Sequence, residues 1–410
     1  MSGLGRYGRI LRARHVLALS LTALIARLPI GVVSLAIVLF LRQETGSYAI
    51  AGAVAAAFAL GSGAAAPISG RLVDRLGRTR VLVPLAVVNA AALLALVWLG
   101  LDAAPTAALL VVGLVAGACV PPTSAVLRTL WPGLLGKDRD ELLPTAFALD
   151  SVIIELVFTI GPLLAAGVSA FASPAAALVL SAFLTVAGTT AFMALPPTRA
   201  PMPEPPMPDG GAERTRSRVG ALAAPGLRTI VLATLPIGFT FGATEVTLPA
   251  FAEDMGSPEL GGVGIAVWSA ASAAGGLYYG ARPGNLPLAE RFVRLTFFLA
   301  LAFLPLAAAP SFLLMLPLLI VAGAFIAPSL AAGNQLAGDV APAGTETEAF
   351  TWPVTSLVVG VALGNAAAGA VVEYADWRTS FLCATISAAT GAAVLRLRRR
   401  TLAPPRPALA

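Results

Sequence analysis

Long apolar runs alternate with short charged or turn-rich interruptions along almost the whole chain. About 20 apolar residues are needed to cross a hydrocarbon core as a helix. On that measure the runs predict twelve spans, with cores near 16–41, 48–69, 81–101, 105–127, 142–170, 174–196, 226–250, 260–281, 291–309, 311–336, 348–372 and 377–396. The pattern fails in one place, the Pro-rich and charged stretch TRAPMPEPPMPDGGAERTRSRVG after the sixth span. Such a stretch cannot bury a core and reads as a flexible connector. The expected architecture is an all-α polytopic membrane protein of two six-helix bundles, residues 1–198 and 226–410, joined by a linker at 199–225 and ending in a basic tail.

Charge gives the spans a direction. Basic residues are retained on the cytoplasmic side of a membrane. With an inside N-terminus, only Arg42 and Arg378 of the 27 basic residues fall outside, and Arg27 lies within a span. Arg6, Arg9, Arg12 and Arg14, the loop containing Arg71, Arg75, Arg78 and Arg80, and the tail from Arg396 all fall inside. The expectation is a multi-pass protein of the inner (plasma) membrane with both termini cytoplasmic.

The halves repeat each other weakly. ARLPIG at Ala26 returns as ATLPIG at Ala233, AGACVPP at Ala116 as AGAFIAP at Ala322, and Ala146-Phe147 as Ala349-Phe350. Gly70 is matched by Gly280, and Gly46-Ser47 by Gly256-Ser257. The offsets stay between 203 and 210 positions and preserve order, as expected for parallel six-helix repeats.

Composition narrows the function classes. The chain is 58% hydrophobic and 12% charged, with a mean hydropathy of +0.86, so lipid is its solvent. Cys119 and Cys383 are far apart, and His15 is the only histidine, which argues against a disulfide framework, a zinc site or a histidine relay. The basic residues are dispersed and form no nucleic-acid-binding face. No GxSxG, paired histidine or Walker loop is present, so an intramembrane enzyme is the least favoured reading and no cofactor is expected.

The loop after the second span reads GRLVDRLGRTR, from Gly70 to Arg80. It resembles the G-x-x-x-D-R-x-G-R-[RK] signature of the major facilitator superfamily, with Gly70, Asp74, Arg75, Gly77, Arg78 and Arg80 at matching positions. That resemblance implies alternating access, with this loop latching the cytoplasmic side in the outward-facing state. Physically, Asp74 can meet the positive end of a helix from the other half, and Arg75 and Arg78 can pair with acids. The corresponding loop, GARPGNLPLAERF from Gly280, lacks the aspartate, so one latch is expected instead of two. Gly161-Pro162 resembles part of a glycine-rich antiporter motif, although Ala148 and Val157 stand where its earlier glycines belong. TEAFTW at Thr347 resembles a bacterial drug-efflux-like subgroup.

Ionisable residues inside a span are costly, which makes them candidate sites. Arg27 in the first span, Asp150 and Glu155 in the fifth, and Glu245 in the seventh are the candidates for proton coupling or the substrate cavity. At ~1.5 Å per residue, Arg27 and Glu155 share a depth and are expected to meet. Asp150 is expected nearer the inner surface, on another face, and Glu245 nearer the outer mouth. Arg27 and Glu155 as a permanent structural pair, and Glu245 as a solvated rim residue, are the competing readings. Glu346 and Glu348 are expected to cap their helix or latch onto inner-loop arginines. These features favour a proton-coupled exporter of a hydrophobic or amphipathic small molecule, acting as a monomer in the bilayer. A proton-coupled nutrient importer and a non-transporting sensor or scaffold are the alternatives.

Overall fold

The computed structural model describes residues 3–136, 139–200, 220–256, 260–282 and 286–402. Most of the expected linker, Lys137, Ser257 and the end of the basic tail lie outside the described residues. Within them the chain is helical, with no strand. That is the form in which a backbone can cross lipid with its polar groups satisfied internally.

An N-terminal helix, α1 (Gly3–Arg12), precedes α2 (Val16–Thr45), α3 (Tyr48–Leu76), α4 (Arg78–Leu101), α5 (Thr106–Ala118), α6 (Thr123–Leu135), α7 (Arg139–Phe171), α8 (Pro174–Ala194) and the short α9 (Pro196–Arg199). The second half comprises α10 (Pro225–Asp254), α11 (Leu260–Ala281), α12 (Leu288–Phe303), α13 (Phe312–Gly323), α14 (Ile326–Val340), α15 (Glu346–Tyr374) and α16 (Trp377–Leu397). With α5–α6 and α13–α14 each counted as one, twelve stretches are long and apolar enough to cross a membrane.

The fourth and tenth spans are broken, and the breaks fall on the repeated AGACVPP and AGAFIAP segments. Pro121 and Pro122 have no N–H to continue a helix, and α6 restarts at Thr123. The second break is shorter, at Ala324-Phe325.

Three hydrophobic cores organise the helices. One, at the end of the molecule that carries the basic loops, mixes both halves: Val73, Leu82, Trp131 and Phe147 pack with Ile230, Tyr279, Phe292 and Phe350. At the opposite end the core divides. Val33, Phe40, Leu93 and Leu178 belong to the first half alone, and Phe251, Trp268, Phe303 and Phe381 to the second alone. The molecule is therefore closed at its basic end and parted at the other.

Glycine sets the closest helix approaches. A Cβ built on Gly161 of α7 would lie 2.5 Å from the carbonyl carbon of Gly31 in α2. Gly161-Pro162 thus has a packing role inside the first half, because only glycine lets the two backbones touch there.

Candidate functional site

The closed end is built around the N-terminus of α15. Its N-cap residue, Thr345, makes no side-chain capping bond. Asp74, from the end of α3 in the other half, takes that role. Its carboxylate accepts from the backbone N–H of Thr347 at 3.1 Å and of Glu348 at 2.9 Å. The geometry satisfies two orphan donors and sets a negative charge on the positive end of a helix dipole. Gly70 makes the approach possible, since a Cβ there would lie 2.9 Å from Cα of Glu348.

Glu348 is the hub. Its carboxylate accepts from Nε and Nη2 of Arg71 at 3.1 and 2.8 Å, and from the Trp352 indole at 3.2 Å. This fork-shaped pairing joins α3 to α15. The expected latch of Glu348 onto an inner-loop arginine is made by Arg71. Among the described residues, neither Arg75 nor Arg78 forms the expected ion pair with an acid. Arg78 is buried and donates to the Pro197 carbonyl at 3.4 Å within its own half. Arg75 and Arg80 are exposed. Gly77, at φ +91°, ends α3 in a conformation that side chains resist.

A second set of contacts closes the same end without charge. The Thr145 hydroxyl of α7 donates to the Gly280 carbonyl at 2.5 Å. The Tyr7 phenol of α1 donates to the Leu277 carbonyl at 3.0 Å, so the N-terminal helix straps the end of α11. Burial raises the Tyr7 pKa, which keeps the phenol a donor.

Deeper in the first half, Asp150 binds two arginines. Arg27 Nη1 lies 2.6 Å from one carboxylate oxygen and Arg128 Nε lies 2.8 Å from the other. Arg27 and Asp150 are each 1% exposed at the side chain and Arg128 6%. Three guanidinium nitrogens, Arg27 Nε and Nη2 and Arg128 Nη1, find no hydrogen-bond partner among the described residues. The cluster carries one net positive charge inside the bundle.

This corrects the expected Arg27–Glu155 contact. Equal depth does not choose the partner; two effects of helix geometry do. Five residues place Asp150 and Glu155 on different faces of α7, and the face toward α2 is the one bearing Val157, which meets Gly31. Asp150, seven residues before Val157, shares that face. The side chain of Arg27 also leans toward its helix N-terminus, down to the level of Asp150.

Glu155 faces the other half instead. Its Oε1 accepts from the Ser272 hydroxyl of α11 at 2.6 Å. Ser272 is 1% exposed and Glu155 is half-buried. Two hydrogen bonds from α7 to the other half, Thr145 to Gly280 and Ser272 to Glu155, are ten residues apart, about 15 Å along the axis. Glu155 therefore lies between the halves, deeper from the basic end than Thr145. Glu245 of α10 is exposed and lies against Asn365 of α15. It is 20 residues from the start of α10, so it belongs to the parted end. Arg128, Ser272 and Tyr7 are partners that no sequence pattern names, whereas Arg71 is among the inner-loop arginines expected to meet Glu348.

A family model of the Major Facilitator Superfamily matches residues 19–286 and 230–409. No curated protein matches the sequence. Among solved structures, the chain is similar to the human organic anion transporter MFSD10 (TETRAN), at 18% identity and a TM-score of 0.67, covering 95% of this chain and 99% of that one. It is similar to the E. coli fucose:proton symporter FucP at 16% identity and a TM-score of 0.69, over 95% and 99% of the two chains. A bacterial homologue of the iron transporter ferroportin, in an outward-facing state, aligns at 13% identity and a TM-score of 0.73, over 93% and 98%. At these identities the likeness is one of fold.

Proposed function

Because the chain belongs to the Major Facilitator Superfamily and is a membrane transporter, we propose that it is a proton-coupled exporter of a hydrophobic or amphipathic small molecule working by alternating access. The observation that carries this reading is the position of Glu155. It is an ionisable group between the two halves, held by a serine of the opposite half. When the halves separate at the basic end, that hydrogen bond breaks and the carboxylate meets a different solvent. A group whose surroundings change with the state of the carrier can load a proton on one side and release it on the other. Arg27, by contrast, is committed to Asp150 and does not tune Glu155 directly.

With the basic end cytoplasmic, as the positive-inside rule requires, the conformation described is outward-facing. Asp74, Arg71 and Glu348 form the latch that holds it. The division into bundles at 1–198 and 226–410 follows from the same reading, since the halves meet mainly through α3–α15 and α7–α11 and α14. Glu245, at the parted end with Asn365, is positioned to meet substrate. The mostly apolar helices leave few fixed polar contacts for a sugar, which favours an apolar or amphipathic cargo.

The test is flux driven by an imposed pH gradient in proteoliposomes, screened over a panel of amphipathic compounds and normalised to folded protein. Glu155→Gln is expected to abolish gradient-driven flux while leaving substrate binding measurable, because the amide keeps the shape and the serine contact but carries no proton. Wild-type flux with unchanged pH dependence in Glu155→Gln would overturn the assignment.

A further inference from the structure

The flank of the second half carries a groove that none of the gate or carboxylate contacts uses. It lies between α12 and α16, has a volume of about 840 Å³, and is walled by Phe297, Leu301 and Leu304 on one side and Ala389 on the other. Phe297, Leu301 and Leu304 are all exposed. Arg294 and Arg396 also line it. Both arginines lie toward the basic end, because α12 leaves that end and α16 returns to it. The groove is thus polarised, with cations at the membrane surface and hydrocarbon walls running inward.

We propose that this groove holds an acyl chain of an anionic phospholipid from the surrounding bilayer, with the lipid phosphate on Arg396 and Arg294. Length supports a lipid as the occupant. From Arg294 to Leu304 is ten helical residues, about 15 Å, which is one leaflet of a roughly 30 Å hydrocarbon core. Volume agrees, since sites that enclose small organic molecules span about 300–1,000 Å³. Charge is complementary as well. Arg294 is tied to Glu290 at 2.5 Å, which compensates part of its charge. Arg396 is exposed and has no side-chain hydrogen bond or ion pair among the described residues. A guanidinium with no partner among the described residues, lining the same groove as a partly compensated one, suits a phosphodiester, which offers two oxygens and one negative charge. A neutral zwitterionic lipid would bring its own cation to the same place and lose that advantage.

The proposal is tested by native mass spectrometry of the full-length protein supplied with phosphatidylglycerol or phosphatidylcholine of matched chains. Variants are compared at equal folded fraction, checked by thermal melting. Wild-type protein is expected to retain phosphatidylglycerol on the order of tenfold better than phosphatidylcholine. The double variant Arg294→Gln/Arg396→Gln is expected to lose that preference. Ala389→Phe is expected to weaken retention with both charges in place, because it fills the groove. Arg12→Gln, which removes an exposed basic-end charge far from the groove, is expected to change nothing. Equal retention of the two lipids by wild-type protein overturns the proposal. So does an undiminished preference in the double variant, full retention by Ala389→Phe, or an equal loss in Arg12→Gln.

Discussion

The two halves close the same end of the molecule with related backbones and unrelated chemistry. In one interface Gly70 packs on Glu348, and Arg71 pairs with that carboxylate. The repeat offsets map these residues onto Gly280, Thr145 and Ala281, and the second interface is indeed Gly280 against Thr145, with a hydroxyl in place of the ion pair. The buried cluster obeys the same rule. Arg27, Arg128 and Asp150 correspond to Thr234, Asn334 and Pro353, and Glu155 corresponds to Val358. Thr234 satisfies itself on the Ile230 carbonyl at 2.7 Å. Close helix approach, which glycine provides, is therefore common to both halves. Between the halves and in the buried cluster, the ion pairs among the described residues all involve first-half residues, so charge is not needed to bring the helices together.

The largest effect is expected where the asymmetry is most deeply buried. Asp150→Leu leaves two buried guanidiniums without their anion and is expected to cost about 3–5 kcal/mol, read as a fall in melting temperature of the purified protein. Adding Arg27→Leu and Arg128→Leu, which makes the cluster as uncharged as its second-half counterpart, is expected to recover most of that loss. A triple variant no more stable than Asp150→Leu would mean that the cluster does more than neutralise itself.

An intermediate effect is expected at the charged gate. Asp74→Asn combined with Arg71→Ala removes the helix-end anion and one ion-pair partner. Arg71 is 41% exposed at the side chain, so solvent screens its share. The combined loss is expected to be about 1–2 kcal/mol of preference for the closed basic end. Spin labels at Gly52 and Gly262, both with open space around them, report the separation of the parted end. The double variant is expected to shift population toward the shorter distance. An unchanged distribution would reduce Asp74 to a residue that only orients the chain in the membrane.

The smallest effect is expected at the uncharged interface. Thr145→Val removes one buried hydrogen bond, about 1 kcal/mol, and Tyr7→Phe a comparable one. Measured with the same labels, each is expected to move the distribution less than the charged double variant. A larger shift from Thr145→Val would reverse the ranking and make the neutral interface the controlling one.

Sequence alone determined the properties that depend on solvent and on local chain chemistry. Twelve apolar runs had to become spans because lipid offers the backbone no partners. The order of repeats marked two related halves, although the fourth span, read as continuous over 105–127, is broken at the Pro-Pro pair 121–122. Asp74 beside two glycines was legible as a group able to meet a helix end. Tertiary structure alone decided which partner each charge found. Depth along a helix can be counted from sequence, but the facing direction turns by about 100° with each residue, so an uncertain boundary scrambles it. Arg27 reached Asp150 through the lean of its side chain and the phase of α7, not through equal depth. Arg71 reached Glu348 and Glu155 reached Ser272 across 277 and 117 positions, contacts that exist only because the two halves are pressed together at one end.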